Sequence, residues 1–276
     1  MDECFGKKFI LNGRLLSSDQ FDNSLVYEGD SIYEVIRMVK SSPVFFHDHM
    51  ERLSSSLRIQ KKEMLADVQE LRRDIINLVK TERRKDYNLK IVFNYNQETS
   101  NYLVYFIEPI YPSEEQYKQG VKGILFHAER KDPESKVINH KLRSSIYHKL
   151  ILEGGYEALL VNEENQITEG SRSNIFFLND GILVTAPDNA VLNGITRKYI
   201  LQICTENNIR VEFKCVPVSS ISDYEAVFMT GTSPMVLQFN CIGDVYFNVR
   251  MPLIEKLRKL YLEKADESIH RFVMNT

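Results

Sequence analysis

The chain has 276 residues, enough for one large domain or two modest domains with hydrophobic cores. Apolar residues make up 43% and charged residues 26%, as in ordinary soluble globular proteins. The formal net charge of −3 provides no basic field, so neither a nucleic-acid partner nor a membrane partner is expected.

The cysteines and the beginning of the chain indicate a reducing compartment. No two cysteines form a CxxC pair, so we expect small buried thiols and not a disulfide frame or a zinc site. The His47-x-His49 pair has no third ligand nearby, and no metal is expected. Residues 1–4 lack a basic and apolar signal pattern, and no apolar run approaches membrane-spanning length. These features predict a cytoplasmic protein.

The first part of the sequence predicts a sheet accompanied by two helices. Alternating residues over 32–37 predict a strand with one solvent-facing side, and Asp48 is a suitable N-cap for the helix that follows. In chain order, the expected elements are a hairpin with a primed turn at Asn12-Gly13, the strand over 32–37, a helix after Asp48, a longer helix over 65–79, and strands over 89–95 and 102–107.

Residues 108–120 are the best candidate for a domain boundary, because they carry prolines, charges and no periodicity. We predict an N-terminal α/β domain of residues 1–113, a linker of residues 114–120, and a larger, strand-rich C-terminal domain of residues 121–276. Both domains mix helices and strands, so the expected fold class is α+β. The C-terminal elements are expected to be strands over 121–127, 156–161, 174–178, 182–185, 210–214, 226–230 and 241–247, and helices over 139–152, after Gly194 and from Pro252.

Two lysines are candidates for the nucleophile that forms a Schiff base with pyridoxal phosphate. Such a lysine must reach a ligand, and its amine must lose a proton to become available. Lys136 follows the acidic loop 132–135 and precedes an apolar pair, whereas Lys141 lies in the first turn of a predicted helix. On chemistry alone the two lysines are equal candidates, and each is also compatible with an ordinary solvent-exposed lysine.

Glu169 is a candidate partner for the ring nitrogen of the same cofactor. A carboxylate beside a pyridinium nitrogen keeps that nitrogen protonated, which makes the cofactor an electron sink. Glu169 follows an apolar strand and a tight turn, and it precedes the unusual run Gly170-Ser171-Arg172-Ser173-Asn174 and an aromatic strand. The alternative is a turn glutamate in water.

Three further features suit the phosphate of such a cofactor. The segment 192–197 opens a helix, where backbone N–H groups and the Thr196 hydroxyl would bind an anion. Gly231-Thr232 ends a predicted buried strand, and Arg52 would add a permanent positive charge. The alternatives are an ordinary helix start, an ordinary turn, and a surface ion pair of Arg52 with Asp48.

Together these features resemble the class IV (fold type IV) aminotransferases that depend on pyridoxal 5'-phosphate. This family includes branched-chain aminotransferases, D-amino acid aminotransferases and aminodeoxychorismate lyases. The resemblance extends from Tyr27 to about Gly243, with the motifs in matching order. In the family an aliphatic residue and then Asn often follow the catalytic lysine, as in Lys136-Val137-Ile138-Asn139. The residues after Lys141 do not fit, and the spacing from Lys136 to the strand at Tyr156 does, so the resemblance selects Lys136.

The resemblance implies a two-domain fold like that of D-amino acid aminotransferases. It implies pyridoxal 5'-phosphate as cofactor, with the site between the domains and completed by the second subunit of a homodimer. It places Tyr33 on the substrate side of the cofactor. The implied cofactor-binding residues are Lys136 (Schiff base), Glu169 (ring nitrogen), Leu192 (packing near the ring), and, around the phosphate, Arg52, Gly194, Ile195, Thr196, Gly231 and Thr232.

The expected substrates are an amino acid and a 2-oxo acid, with a branched-chain L-amino acid as the preferred donor. D-amino acid aminotransferases carry an Arg-x-His carboxylate trap near the strand 89–95, which here contains neither Arg nor His. Residues 231–235 only partly match the Gly-Thr-Ala element of the branched-chain group. A lyase acting on aminodeoxychorismate and a non-catalytic cofactor-binding protein remain alternatives. Arg172 is expected either to bind a substrate carboxylate or to form a structural ion pair.

Overall fold

The computed structural model describes residues 3–82, 87–96 and 99–274, which form two compact units. The first unit contains the residues up to Ile110, Ser135–Ile138 and the residues from Ala265 onward, and the second contains Tyr111–Glu134 and Asn139–Lys264. Both units mix helices with sheets, which confirms the predicted α+β class. The domain bounds predicted from the sequence stay a prediction.

The first unit is built on a six-stranded antiparallel sheet with the strand order β2-β1-β6-β5-β3-β4. Its first hairpin is the predicted one, with φ of 49° at Asn12 and 76° at Gly13, as a primed turn requires. The strands are β1 (Lys8–Leu11), β2 (Arg14–Ser17), β3 (Asp30–Val39), β4 (Ser42–Pro43), β5 (Tyr87–Tyr95) and β6 (Ser100–Ile107), and the helices are α1 (Ser24–Tyr27), α2 (Phe46–Ile59) and α3 (Val68–Val79). The predicted turn between β5 and β6 includes residues 97 and 98, which lie outside the described residues.

Strand β3 differs from the prediction, because both of its faces are covered. Ile32 and Ile36 belong to a core that also includes residues of α2 and α3, and Tyr33 belongs to a second core on the other face. Even Glu34 is fully buried. The expected solvent-facing side of this strand was therefore wrong. Glu34 lies on the same face as Ile32 and Ile36, so that its carboxylate is buried between apolar neighbours.

Helix α2 begins earlier than predicted. Its N-cap is Phe45, which has a left-handed backbone with φ of 54°, and Asp48 lies inside the first turn. The Phe45 N–H donates to Oγ of Ser268, 3.0 Å away. An aromatic residue in this conformation is uncommon, so no local signal indicated that the helix begins there.

The second unit contains a sheet with the order β12-β11-β10-β14-β15-β7-β8-β9-β13, with β16 paired to β15. Most neighbours are antiparallel, but β7 is parallel to both β8 and β15, and β11 is parallel to β12. The strands are β7 (Val121–His127), β8 (Glu157–Val161), β9 (Gln166–Gly170), β10 (Asn174–Asn179), β11 (Ile182–Thr185), β12 (Val211–Phe213), β13 (Val216–Pro217), β14 (Ala226–Gly231), β15 (Met235–Ile242) and β16 (Val245–Tyr246), and the helices are α4 (Glu114–Gln119), α5 (His140–Glu153), α6 (Ile195–Glu206) and α7 (Pro252–Met274), whose last part belongs to the first unit.

Two predictions for this part of the chain were incomplete. The expected strand over 241–247 is a hairpin, because Gly243 takes a positive φ of 56° between β15 and β16. Residues 114–120, expected to be a linker, include helix α4, whose N-cap Ser113 forms a capping box with Gln116. None of the described helices is long and apolar enough to span a membrane.

Helix α3 provides a test of local stability, because a capping box closes its N-terminus. The Asp67 side chain accepts from the Glu70 N–H (2.7 Å), and the Glu70 side chain accepts from the Asp67 N–H (2.7 Å). Asp67→Ala should lower the free energy of unfolding by about 1 kcal/mol in urea denaturation followed by circular dichroism. Asp67→Asn keeps an acceptor and should lose only a small part of that. Equal losses for the two variants would contradict a role for the cap.

Candidate active site

In the first unit, a short segment holds Lys136 against strand β3. The Tyr33 N–H donates to the Lys136 carbonyl (3.1 Å), and the Ile138 N–H donates to the Ser31 carbonyl (2.9 Å). Ile32 and Val137 form an antiparallel bridge between these bonds. The Lys136 N–H donates to Oγ of Ser56 on α2 (3.2 Å). The backbone at Lys136 is thus fixed as an added strand.

The Lys136 side chain is half-buried, and its Nζ lies 4.9 Å from the centre of the Tyr33 ring. An ammonium over an aromatic face is stabilised by the ring quadrupole. Lys141, the other candidate, is exposed on α5. Of the two lysines, Lys136 has the restricted surroundings that a nucleophile needs, and Tyr33 lies beside it.

Arg52 belongs to a buried network with Glu34 and His49, which the sequence did not indicate. Its Nε and Nη2 donate to the two oxygens of Glu34 (2.8 and 2.6 Å), and Nδ1 of His49 lies 2.8 Å from Oε2. This bidentate geometry fixes the plane of the guanidinium. Arg52 is thus bound to a buried carboxylate, and a surface pair with Asp48 does not describe it.

Burial and charge oppose each other at Glu34. Burial alone would raise the pKa of this carboxyl, but the charge of Arg52 and the hydrogen bonds from Arg52 and His49 lower it to about 2. Burial also lowers the pKa of His49, and the bond to Glu34 offsets only part of that effect. His49 is therefore neutral near pH 7. Among the described residues, no group of three His, Cys, Asp or Glu side chains could hold a metal ion.

In the second unit, Glu169 is a buried carboxylate at the end of β9. Its Oε2 accepts from the Leu192 N–H (3.1 Å), and Nη1 of Arg130 lies 3.4 Å from Oε1. Glu169 is therefore not a turn glutamate in water. Arg130 lies in the loop after β7 between Glu129 and Lys131, and nothing in that charged run distinguished it.

Asn174 brings the segment before α6 to the end of β14. Its Nδ2 donates to the Leu192 carbonyl (2.8 Å), and a Cβ on Gly194 would overlap its Oδ1. Asn174 begins β10 and pairs with Thr230, next to Gly231. Leu192 and Gly194 thus lie beside one buried asparagine, and Gly231 follows its strand partner Thr230. The sequence singled out the run that contains Asn174 but gave that residue no role.

The start of α6 and the end of β14 offer polar groups that suit an anion. Gly194 is the N-cap and makes no side-chain cap bond, and Ile195 and Thr196 behind it are buried. The first-turn N–H groups of a helix have no acceptor within the helix. Within the described part of the chain, Oγ1 of Thr230 is buried and has no hydrogen-bond partner. This donor set fits a phosphate.

The remaining predicted residues lie close by in the same unit. Gly231 pairs with Met235, and Thr232 begins the turn that connects β14 to β15. A Cβ on Gly231 would stand 3.3 Å from the Arg172 carbonyl. The Arg172 side chain is exposed, and its Nη2 donates to the Tyr156 carbonyl (3.2 Å). Its part in substrate binding stays a prediction.

The chain is similar to one known family over most of its length. The model of the family described as amino-transferase class IV matches residues 31–242. A D-alanine aminotransferase from Bacillus licheniformis is 26% identical over 250 residues, covering 85% of this chain and 88% of that protein. A putative branched-chain-amino-acid aminotransferase from Methanocaldococcus jannaschii is 26% identical over 279 residues, covering 91% and 94%.

Two further similarities bear on the fold and on the reaction. An aminodeoxychorismate lyase from Bacillus subtilis is 21% identical over 282 residues, covering 94% of this chain and 95% of that protein. The crystal structure of the branched-chain amino acid aminotransferase from Thermobaculum terrenum in its PLP form has a TM-score of 0.83 at 19% identity, covering 98% of this chain and 97% of that chain. This likeness confirms the predicted type of fold.

The Glu34 network predicts a pH dependence of stability. A carboxyl whose pKa falls from 4.5 to about 2 on folding stabilises the protein above pH 4.5. This contribution, about 3 kcal/mol, is lost as the pH falls from about 4.5 to about 2. Urea denaturation at several pH values should show that loss in the unaltered protein and a smaller loss in Glu34→Gln. Equal pH dependence of the two would refute the proposed pairing.

Proposed function

Because the chain belongs to the class IV aminotransferase family, we propose that it is an enzyme that uses pyridoxal 5'-phosphate to move an amino group between an amino acid and a 2-oxo acid. One observation supports Lys136 as the reacting lysine. Its side chain is half-buried beside Tyr33, and backbone hydrogen bonds to β3 fix the position of its backbone, which an ordinary solvent-exposed lysine would not require.

The residues present fit this cofactor. Lys136 is proposed to hold it as a Schiff base, and Glu169 to bind the ring nitrogen, with Leu192 near the ring. When bound, the cofactor supplies an electron sink that stabilises negative charge at the substrate Cα. The Thr230 hydroxyl, which has no partner among the described residues, and the uncapped start of α6 support a phosphate site in the second unit. Its proposed members are Gly194, Ile195, Thr196, Gly231 and Thr232. Arg52, which the resemblance implies as a further phosphate ligand, stays a prediction, because its Nε and Nη2 donate to Glu34 in the first unit.

Lys136 is the proposed catalytic residue. The amino group of the substrate would first replace the Lys136 amine on the cofactor. The freed amine would then take the proton from the substrate Cα and deliver it to the cofactor carbon to which Lys136 had been bonded. A general base must be held within reach of that proton, and the bonds of the Lys136 backbone to Tyr33 and Ser56 restrict where the amine can lie. Tyr33, whose ring is 4.9 Å from Nζ, is the proposed substrate-side aromatic residue.

Glu169 needs a defined orientation to act on a ring nitrogen. The Leu192 N–H donates to one oxygen of Glu169, and Arg130 lies beside the other oxygen. These two neighbours restrict the orientation of the carboxylate. The positive charge of Arg130 stabilises the ionised carboxylate. Arg130 is therefore a proposed positioning residue for Glu169.

A branched-chain L-amino acid is the proposed donor, supported by the branched-chain relative that spans nearly the whole chain. A lyase that converts aminodeoxychorismate to 4-aminobenzoate and pyruvate is the second candidate, since a relative of that name covers 94% of the chain. A D-amino acid donor is a third, supported by the D-alanine aminotransferase relative. A non-catalytic cofactor-binding protein is less well supported, because the sequence retains the lysine, glutamate and phosphate motifs of the family.

The assembly and the location are also proposals. The family resemblance supports a homodimer, and the cysteine usage of the chain supports a cytoplasmic location. Sedimentation equilibrium of the purified chain measures the first, and imaging of the tagged chain in its own cell measures the second.

Replacing Lys136 tests the catalytic assignment. Lys136→Ala should abolish turnover and remove the visible absorption that the bound cofactor owes to its bond with the lysine. The exposed Lys141→Ala is the matched control and should keep both. Turnover and absorption that survive in Lys136→Ala, or disappear only in Lys141→Ala, would contradict the assignment.

A panel of amino donors tests the reaction and its substrate. The cofactor-loaded protein is mixed with each L-amino acid, each D-amino acid and aminodeoxychorismate, and the visible spectrum is followed over time. Branched-chain L-amino acids should convert the cofactor to its amine form most rapidly. If aminodeoxychorismate is the only compound that reacts and it releases pyruvate, the lyase is favoured. If no L-amino acid changes the spectrum, the proposed donor is refuted.

A further inference from the structure

Strand β5 carries a lysine that the proposed reaction has not used. Lys90 is 1% exposed, in the middle of the first unit's sheet, opposite Val35 of β3 and Tyr105 of β6. Three tyrosine rings surround its ammonium group, with centres 5.3 Å (Tyr33), 5.8 Å (Tyr105) and 5.9 Å (Tyr27) from Nζ. An ammonium group is rarely buried so deeply unless a partner neutralises it.

The partner is the carboxylate of Glu3, which three donors bind. Nζ of Lys90 lies 2.5 Å from Oε1, and the hydroxyls of Tyr27 and Tyr105 donate to Oε2 over 2.8 and 3.0 Å. Burial raises the pKa of Glu3, but the charge of Lys90 and the hydrogen bonds from Lys90 and the two hydroxyls outweigh burial. The pKa is therefore lower than usual, and the carboxylate stays ionised. The cluster therefore has the composition of a carboxylate-binding site.

The donors and the carboxylate are held in different ways. Lys90 and Tyr105 belong to central strands, and their side chains are buried. Glu3 lies in a segment outside the sheet, where the Phe5 N–H donates to the Phe106 carbonyl (2.8 Å) and the Phe5 side chain is 38% exposed. The Glu3 side chain is 19% exposed, whereas that of Lys90 is 1% exposed. A partly exposed segment outside the sheet opens at a lower free energy than the sheet itself. Lys90 and Tyr105 are therefore held by the sheet, Tyr27 lies on the short helix α1, and the Glu3 carboxylate can leave.

Tyr33 links this cluster to the proposed catalytic residue. Its ring lies 5.3 Å from the ammonium of Lys90 and 4.9 Å from that of Lys136. The two lysines therefore contact the same aromatic side chain, although they come from different strands. Tyr33 is the proposed substrate-side residue. A ligand carboxylate bound at Lys90 would therefore lie near the place proposed for the substrate.

We propose that Lys90, Tyr27 and Tyr105 bind the carboxylate of an incoming amino acid or 2-oxo acid, and that Glu3 occupies this position until substrate displaces it. The identity of the ligand rests on the proposed function. The exchange replaces one carboxylate by another, so Lys90 is never left buried without a counter-charge. Glu3 then acts as a tethered competitor, and substrate affinity depends on how often the segment opens.

Calorimetry on the cofactor-loaded full chain tests this competition. The probe is succinate, an unreactive dicarboxylate, and succinamide is its uncharged counterpart. Glu3→Gln keeps the size of the side chain but removes its charge, and it should bind succinate about tenfold more tightly than the unaltered protein. The double variant Glu3→Gln/Lys90→Met should lose that gain. Glu206→Gln, which removes an exposed partner of Lys264, is the matched control and should bind as the unaltered protein does.

Each of three outcomes would overturn the proposal. The first is that Glu3→Gln binds succinate no more tightly than the unaltered protein does, the second that the gain survives the loss of Lys90, and the third that succinamide shows the same gain. Steady-state kinetics provide a second measure, because Glu3→Gln should lower KM for the amino donor at unchanged kcat. A merely structural ion pair would not give that separation of KM from kcat.

Hydrogen exchange keeps the proposal testable should Glu3→Gln fail to fold. In the unaltered protein, saturating succinate should speed exchange of the Phe5 amide several-fold, because displacement of Glu3 releases the bond to Phe106. The Asn12 amide, bonded to the Tyr102 carbonyl (3.0 Å), is the control and should not change. A Phe5 amide that exchanges at the same rate or more slowly would refute displacement.

These measurements separate the two proposals. Succinate binding and amide exchange require no turnover, so they can succeed in a protein that transaminates nothing. In that case the carboxylate site is supported and the proposed reaction is refuted. The opposite result has three parts: the amino-acid panel responds, Glu3→Gln binds succinate no more tightly, and the exchange rate of the Phe5 amide does not rise. That result supports the reaction and refutes the carboxylate site.

Discussion

The backbone pairing between strand β3 and the segment Ser135–Ile138 is the interaction on which the first unit's site depends. Two hydrogen bonds and one bridge attach this segment to β3, although about a hundred residues separate them in the chain. A lysine is long and flexible, and ordering it has an entropic cost. Fixing its backbone as a strand reduces the freedom left to its amine. The same pairing brings Tyr33 beside Lys136, because Tyr33 itself donates one of the bonds.

The second unit achieves order by a different route, through one buried side chain. Asn174 begins β10, bonds to the segment before α6, and pairs with the strand that ends at Gly231. Amide groups suit this task because they donate and accept, so one residue can satisfy the backbone of a loop. The overlap that a Cβ at Gly194 would produce shows how closely the loop approaches. Asn174 therefore positions the protein groups that are proposed to bind phosphate, although Asn174 itself need not contact the phosphate.

The sequence predicted the elements well and their partners poorly. Most helices and strands were found because periodicity and turn residues are local signals. The family resemblance selected Lys136 over Lys141 by the residues that follow the lysine and by the spacing to the strand at Tyr156. The partners of the functional groups were missed, since Glu34 with Arg52, Arg130 with Glu169, and Glu3 with Lys90 are far apart along the chain. Sheet register and loop paths create these pairs, and neither can be read from one sequence. The start of α2 was missed for another reason, because Phe45 takes a left-handed conformation that its side chain disfavours.

The alternation of side chains along β3 has a consequence for how the chain finds its native fold. Neighbouring residues Tyr33 and Glu34 point to opposite faces, one toward the lysines and the other toward α2. Slippage of β3 by one residue against β5 would exchange them. Arg52 would then be a buried charge without its carboxylate, and neutral His49 would lose its hydrogen-bond partner, at a cost far above that of a lost apolar contact. The buried Glu34–Arg52 pair thus favours the native register of β3 over a register shifted by one residue, and it does so before any substrate is present.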